Sequence, residues 1–175
     1  MQEIAPYIVT SSFLTEEYCD FILKACTHAN TWQPFKEDTQ YSTFDINFET
    51  DFPMFFDKIS TLYKTTVVPN LQALWGVDVT EPYAIFAIKY WQEGQTSLKL
   101  HRDDSFISAS IKLNTNYSGG ELYFPEQKCS NASLNTGDII VWPGTITHPH
   151  ECLEVTEGEK YAITIWTKFP EPGYY

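Results

Sequence analysis

The chain has 175 residues, 43% hydrophobic and 16% aromatic, which suits one domain with a real core and argues against disorder. Its 23 acidic and 11 basic residues leave a net charge of -12, which disfavours nonspecific nucleic-acid binding because that depends on neutralising phosphates. No apolar run reaches the ~20 residues that a membrane-crossing helix needs, so no membrane association is expected.

The first residues, MQEIAPYIVTSSF, lack the basic start and long apolar segment of a signal peptide. Cys19, Cys26, Cys129 and Cys152 contain no CxxC pair, so reduced thiols and a cytoplasmic location are expected. FLTEEYCDFILKACTHAN predicts a helix with Thr15 as N-cap, Glu16 and Glu17 at its positive end, and an apolar stripe of Phe21, Ile22, Ala25 and Ala29. DFPMFFDKISTLYKTTVVPNLQALWG predicts a second, longer helix with Pro53 in its first turn and Gly76 at its end, kinked or split by Pro69. Beyond Thr80 the character changes. YAIFAIKYW, SASIKLN, GELYF, DIIVW and KYAITIWTKF are short β-rich runs separated by turn sequences such as NYSGG and NTGD. The expected layout is a single domain over 1–175, with a helical part at about 1–80 and a β core at about 81–170. Helices packed on one face of a double-sheet, mostly β fold would satisfy it.

The stretch KLHRDDSFISASIKLN places charged groups at the head of a strand. From Ile107 onward the odd positions are Ile107, Ala109, Ile111 and Leu113, and the even ones are Ser108, Ser110, Lys112 and Asn114. With a side-chain period of two, the odd set faces a core and the even set faces water. Carried backward, that phase turns His101 and Asp103 inward and puts Arg102 and Asp104 on the other face. An inward carboxylate needs a partner, and a metal ion would supply one. A carboxylate with two histidines suits divalent iron and leaves coordination positions open. The second histidine must come from THPHECLEVTEGEKYAITIW, which offers His148 and His150. Cys152 shares parity with His150, so a zinc site using sulfur is the competing arrangement, without a second positioned cysteine to support it. Trp142 and Pro143 read as core and turn.

The series FLTEEYCDFIL, KYWQEGQ, HRD, LNTNYSGGELYF and GDIIVWPGTITHPHECLEVTEGEKYAITIW resembles the Fe(II)- and 2-oxoglutarate-dependent dioxygenases, specifically their prolyl 4-hydroxylase-like branch. The shared pattern is His-x-Asp, a Gly-Gly-Glu-Leu hairpin, a distal histidine and a basic residue ten positions later. The resemblance implies a double-stranded β-helix (jelly-roll) with helices on one sheet, and iron held by His101, Asp103 and His150 rather than His148. It implies that Lys160 pairs with the far carboxylate of 2-oxoglutarate and that Tyr90 binds the same cosubstrate. Ala162, Thr164 and Trp166 share a face with Lys160; the small ones leave room for the cosubstrate, and Thr164 is taken as a further contact. Opposite them, Tyr161, Ile163, Ile165 and Phe169 would pack under the helices. Arg102 and Asp104 would form the rim of the substrate site.

The implied reaction consumes O2 and 2-oxoglutarate and hydroxylates a C–H bond, with a prolyl residue of a peptide or protein as the favoured substrate. Another amino-acid side chain, a free amino acid, or a jelly-roll that binds a metal or ligand without catalysis are the alternatives.

Overall fold

The computed structural model describes residues 1–29, 31–34, 43–79 and 81–170. Two strands, β1 (Gln2–Ala5) and β2 (Ile8–Ser12), precede helix α1 (Glu16–His28). Then come β3 (Gln33–Pro34), β4 (Phe44–Asn47), the single turn α2 (Phe48–Asp51), and α3 (Pro53–Leu62), which runs through a π-helical turn (Tyr63–Val67) into α4 (Val68–Trp75). The remainder is β5 (Pro82–Trp91), β6 (Leu98–His101), β7 (Ile107–Lys112), β8 (Tyr117–Gly119), β9 (Leu122–Phe124), β10 (Cys129–Ser130), β11 (Asp138–Pro143), β12 (His150–Cys152) and β13 (Val155–Thr167).

The strands form two antiparallel sheets. The larger follows the order β1-β2-β11-β7-β13-β5-β4-β3, with β8 paired to β13, and the smaller follows β10-β9-β12-β6. This is a double-stranded β-helix with helices covering the outer face of the larger sheet. Ile46, Ala87, Ile111 and Ile163 on that face share one buried cluster with Ile22, Phe55, Ile59 and Leu71 from the helices. Their burial removes apolar surface from water and fixes which face of each strand is outside. The opposite face looks toward the smaller sheet.

The region before residue 81 is not only helical. β1, β2, β3 and β4 extend the larger sheet at both ends. Thr15 caps α1, accepting a hydrogen bond from the Tyr18 N–H at 3.2 Å. The buried stripe of α1 is Cys19, Ile22 and Cys26. Phe21 instead lies half exposed, edge-on to Phe55 at 5.6 Å. The longer helix breaks at Phe52 and does not split at Pro69. Proline removes a helical N–H and crowds the preceding turn, and the wider π turn just before it accommodates both. Gly76 closes α4 in the left-handed conformation, at φ 65°.

The odd set of β7 does face the helix-covered core, but the even set does not face water. Ser108 is fully buried and Lys112 is 8% exposed, because these positions face the space between the sheets. A water-facing side is the norm for a single-layer sheet, whereas here a second sheet covers it. Phe169 lies beyond the end of β13 and is half exposed against Phe106, so it does not pack under the helices.

Candidate functional site

Between the sheets lies a cavity of about 310 Å³, within the usual size of a small-molecule site. His101 ends β6 and His150 opens β12, and the two are direct cross-strand partners. Asp103 comes from the crossing between the sheets, outside any strand, so the phase of β7 does not carry back to it. Hydrogen bonds at Arg102, Asp103 and Asp104 help to hold that crossing. The Asp103 N–H donates to the Gly144 carbonyl at 3.1 Å, Arg102 Nε donates to the Ile146 carbonyl at 2.7 Å, and the Tyr83 hydroxyl donates to the Asp104 carbonyl at 2.7 Å. Arg102 and Asp104, expected on the far face, therefore also line the cavity.

One ligand-capable atom from each of His101, Asp103 and His150 lies within 4.8 Å of the others. His101 Nε2 is 3.6 Å from Asp103 Oδ1, and His150 Nε2 is 3.5 Å from Asp103 Oδ2. Both rings are oriented from behind. His101 Nδ1 donates to the Lys99 carbonyl at 2.7 Å and His150 Nδ1 to the His148 carbonyl at 3.0 Å. A carbonyl can only accept, so each Nδ1 carries the proton and each Nε2 offers a lone pair toward the cavity. Trp142 stands edge-on to the His150 ring at 4.9 Å, so this core residue is also a wall of the site.

Burial pushes the His150 ring down, toward its neutral form. At His101 burial works the same way, but the Asp103 carboxylate and the Lys99 carbonyl outweigh it and raise the ring above its ordinary value. Burial alone would raise the Asp103 carboxyl; His150 and then His101 outweigh it and hold it below the usual carboxylate range. Asp103 Oδ2 is buried and has no hydrogen-bond donor among the described residues. A buried, ionised oxygen without a donor, flanked by two lone pairs, is a set of acceptors lacking a cation. The residues fit a divalent metal.

His148 is turned away. Its Nε2 donates to the Pro6 carbonyl at 3.0 Å and its Nδ1 pairs with the Thr147 hydroxyl at 2.8 Å. Cys152 does not join the three ligand-capable groups. Its thiol accepts a hydrogen bond from Lys160 Nζ at 3.2 Å.

Lys160 is 4% exposed on the cavity face of β13, with its ammonium 4.9 Å over the Tyr90 ring. Its other contact is that thiol, and no carboxylate pairs with it among the described residues. The second glycine of the GGEL stretch makes room for it. Gly120 has φ 70°, and a Cβ there would meet Val155 Cγ2 at 2.7 Å and the Lys160 stem at 3.2 Å. A buried cation facing a cavity without an anion is a receptor for one. Ala162, Thr164 and Trp166 continue the same face and line the cavity with Tyr90. Lys89, on the neighbouring strand β5, pairs with Glu159 at 2.8 Å.

Asp45 and Thr43, on and beside β4, had drawn no attention in the sequence. Both are buried, and the Thr43 hydroxyl donates to Asp45 Oδ2 at 2.9 Å. The signal was the polar alternation Thr43, Asp45 around Ile46, which was overlooked because no strand was expected before Thr80.

The sequence model of the 2OG-Fe(II) oxygenase superfamily matches residues 86–168. The chain is 28% identical to the multifunctional procollagen lysine hydroxylase and glycosyltransferase LH3 of Rattus norvegicus, over 98% of this chain and 24% of that protein. It is 27% identical to procollagen-lysine,2-oxoglutarate 5-dioxygenase 2 of Homo sapiens, over 92% of this chain and 23% of the relative. The chain thus spans about a quarter of the length of these curated relatives. Among solved structures it is similar to a viral collagen prolyl hydroxylase from Paramecium Bursaria Chlorella virus-1, with a TM-score of 0.67 and 16% identity, covering 93% of this chain and 96% of that one. A prolyl hydroxylase from Trichoplax adhaerens, solved with a hypoxia inducible factor oxygen degradation domain peptide, gives a TM-score of 0.72 at 15% identity, covering 92% of this chain and 83% of that one.

Proposed function

We propose that this chain, which belongs to the 2OG-Fe(II) oxygenase superfamily, hydroxylates an amino-acid side chain within a peptide or protein. The observation that carries the reading is the pairing of two incomplete groups in one cavity. Asp103 faces inward with an oxygen that lacks a donor, between two histidine lone pairs, and Lys160 faces inward without an anion.

In this reading His101, Asp103 and His150 hold Fe(II) through Nε2, a carboxylate oxygen and Nε2. Lys160 takes the far carboxylate of 2-oxoglutarate, and Tyr90 and Thr164 flank the cosubstrate. When bound, the iron, 2-oxoglutarate and O2 supply the oxidising power that converts C–H to C–OH, with release of succinate and carbon dioxide. The chain's own work is placement. The Lys99 and His148 carbonyls fix the tautomers of the ligand rings. Phe86, Trp142 and Trp166 line the cavity with apolar surface that excludes water. Arg102 and Asp104 stand at the rim, where a peptide enters.

Two substrate residues compete. A prolyl residue is what the motif resemblance implies, and the solved prolyl hydroxylases are alike in fold at 14–16% identity. A lysyl residue is favoured by the names of the curated relatives, which are alike in sequence over nearly the whole chain. The test is incubation with Fe(II), 2-oxoglutarate and a mixed peptide pool, with succinate and peptide masses read together. Gain of one oxygen atom that requires 2-oxoglutarate is expected. Absence of both succinate and any mass gain would defeat the reading.

A further inference from the structure

We propose that Asp45, steadied by Thr43, receives the cationic end of the substrate side chain, so that the residue this protein hydroxylates is lysyl and not prolyl. The proposal rests on the hydroxylase reading above.

The face on which Asp45 lies follows from register. Asp45 pairs across β4 and β5 with Ile88, and Ile88 pairs with Ala162 of β13. Ile88 and Ala162 both line the cavity. The alternate residues Ile46, Ala87 and Ile163 belong to the helix-covered core. Cross-strand partners share a face, so Asp45 is on the cavity side. Thr43, two residues earlier on that side, lines the cavity itself and donates its hydroxyl to Asp45 Oδ2.

Asp45 is 8% exposed, and no lysine, arginine or histidine pairs with it among the described residues. Burial pushes its carboxyl up to about 6 in spite of the Thr43 hydrogen bond. A carboxylate kept out of water with one hydroxyl for company is costly unless something outside the chain completes it. Asp103 has a partner in the proposed metal, Lys160 in the proposed cosubstrate, and the inward Lys112 donates to the Leu134 carbonyl at 2.8 Å. Among the described residues Asp45 has only the Thr43 hydroxyl.

A primary ammonium would complete it with a charge-assisted hydrogen bond, and the apolar stem behind that ammonium suits walls such as Phe86, Ile88 and Trp166. A prolyl ring offers no cation and would leave the carboxylate buried and unpaired. The net charge of -12 also favours approach of a basic peptide.

The experiment uses the protein loaded with Fe(II) and 2-oxoglutarate and held without oxygen, so that nothing turns over. Fluorescent peptides of one sequence carry lysine, norleucine or proline at the central position, and binding is read by anisotropy. Norleucine keeps the stem and removes the amine. The lysyl peptide should bind tighter than the norleucyl peptide by about ten- to a hundred-fold, and Asp45→Asn should erase the difference. Thr43→Val should shrink it. Equal binding of the two peptides by the unmodified protein overturns the proposal, and so does an Asp45→Asn protein that keeps the full preference. If Asp45→Asn does not fold, the comparison within the unmodified protein decides alone. In air, oxygen gained by the prolyl peptide but not the lysyl one sinks this proposal and leaves the hydroxylase reading standing. Failure of all three peptides together with failure to form succinate sinks the hydroxylase reading itself.

Discussion

At His150 the nitrogen facing away from Asp103 is tied to the His148 backbone, while the His148 ring is tied to the Pro6 carbonyl in the turn between β1 and β2. Two histidines separated by one proline therefore have different roles. His101→Ala, Asp103→Ala and His150→Ala should each abolish succinate formation and iron retention, measured together on the purified protein. His148→Ala should keep most of both. Activity lost in His148→Ala with iron retained in His150→Ala would reverse the assignment. Lys160→Ala should raise the 2-oxoglutarate needed for half-maximal rate about a hundred-fold or more, because one partner of a buried charge pair is gone. Lys160→Arg should recover part of it, since the longer planar fork must pass between Gly120 and the Tyr90 ring.

Asp45 gives a pH prediction with a definite sign. Its folded-state pKa, about 6, lies above that of an unfolded carboxylate, so the native state holds this proton longer. The stability linked to it is full at pH 4 and below and is lost as pH rises through 6. Asp45→Asn should match the parent protein in urea unfolding near pH 4 and exceed it by on the order of 2 kcal/mol above pH 7. A pH-independent difference would show that burial does not shift this carboxyl. These residues were unequally legible. His101, Asp103, His150 and Lys160 stand in motifs with diagnostic spacing, whereas Asp45 is an ordinary acidic residue until the register puts it beside Ile88.

Among the elements, β5, β7, β9, β11 and β13 were legible because each alternates or runs apolar between turn residues. β6, β8, β10 and β12 are too short for a pattern to show, and NYSGG, expected as a turn, contains β8. β1, β2 and β4 were not legible either. QEIA has no alternation to read, IVTSS ends in small polar residues, and FDIN sits directly before helical residues. The partners that place β2 and β4 in the sheet, β11 and β5, are far away in sequence, and pairing of that kind leaves no local trace. The phase argument put His101 and Asp103 on the face of Ile107 and Ala109, which is the helix-covered face, whereas both residues line the cavity on the other side. The strand it extrapolated from stops at Ile107, and His101 belongs to the other sheet.

One glycine shows how tightly the N-terminal elements are tied to the β core. The Gly137 carbonyl accepts from the N–H groups of Phe13 and Leu14, and its own N–H donates to the Lys112 carbonyl at 2.8 Å. It sits at φ 86°, and a Cβ there would meet the Leu14 carbonyl oxygen at 2.1 Å. Gly137→Ala should therefore cost at least about 2 kcal/mol of unfolding free energy by chemical denaturation, from backbone strain and forced separation of α1 from β11. A loss below 0.5 kcal/mol, the usual limit for a surface change, would mean that the junction relaxes freely.

For the whole molecule, the proposed ligands act as a tie between sheets. His101 and His150 stand on the smaller sheet, Asp103 on the crossing, and Lys160 on the larger sheet. Among the described residues the inner face holds a cavity bounded by a carboxylate oxygen with no donor and an ammonium with no anion. Metal and 2-oxoglutarate bound together would join all four groups and stabilise only the folded state. A ligand at a hundred times its Kd adds about 2.7 kcal/mol, and a domain of this size gains about 2–4 °C per kcal/mol. Adding Fe(II) and 2-oxoglutarate without oxygen should then raise the melting temperature by roughly 5–10 °C, and a chelator should reverse it. The two ligands should also be unequal partners. 2-Oxoglutarate alone reaches only Lys160 and its neighbours, so its shift without metal should be small, whereas the metal alone already joins the smaller sheet to the crossing. Asp103→Ala should remove the metal-dependent shift, and Lys160→Ala should remove only the increment due to 2-oxoglutarate. A 2-oxoglutarate shift that is as large without metal as with it would mean that the cosubstrate is not held between the two sheets.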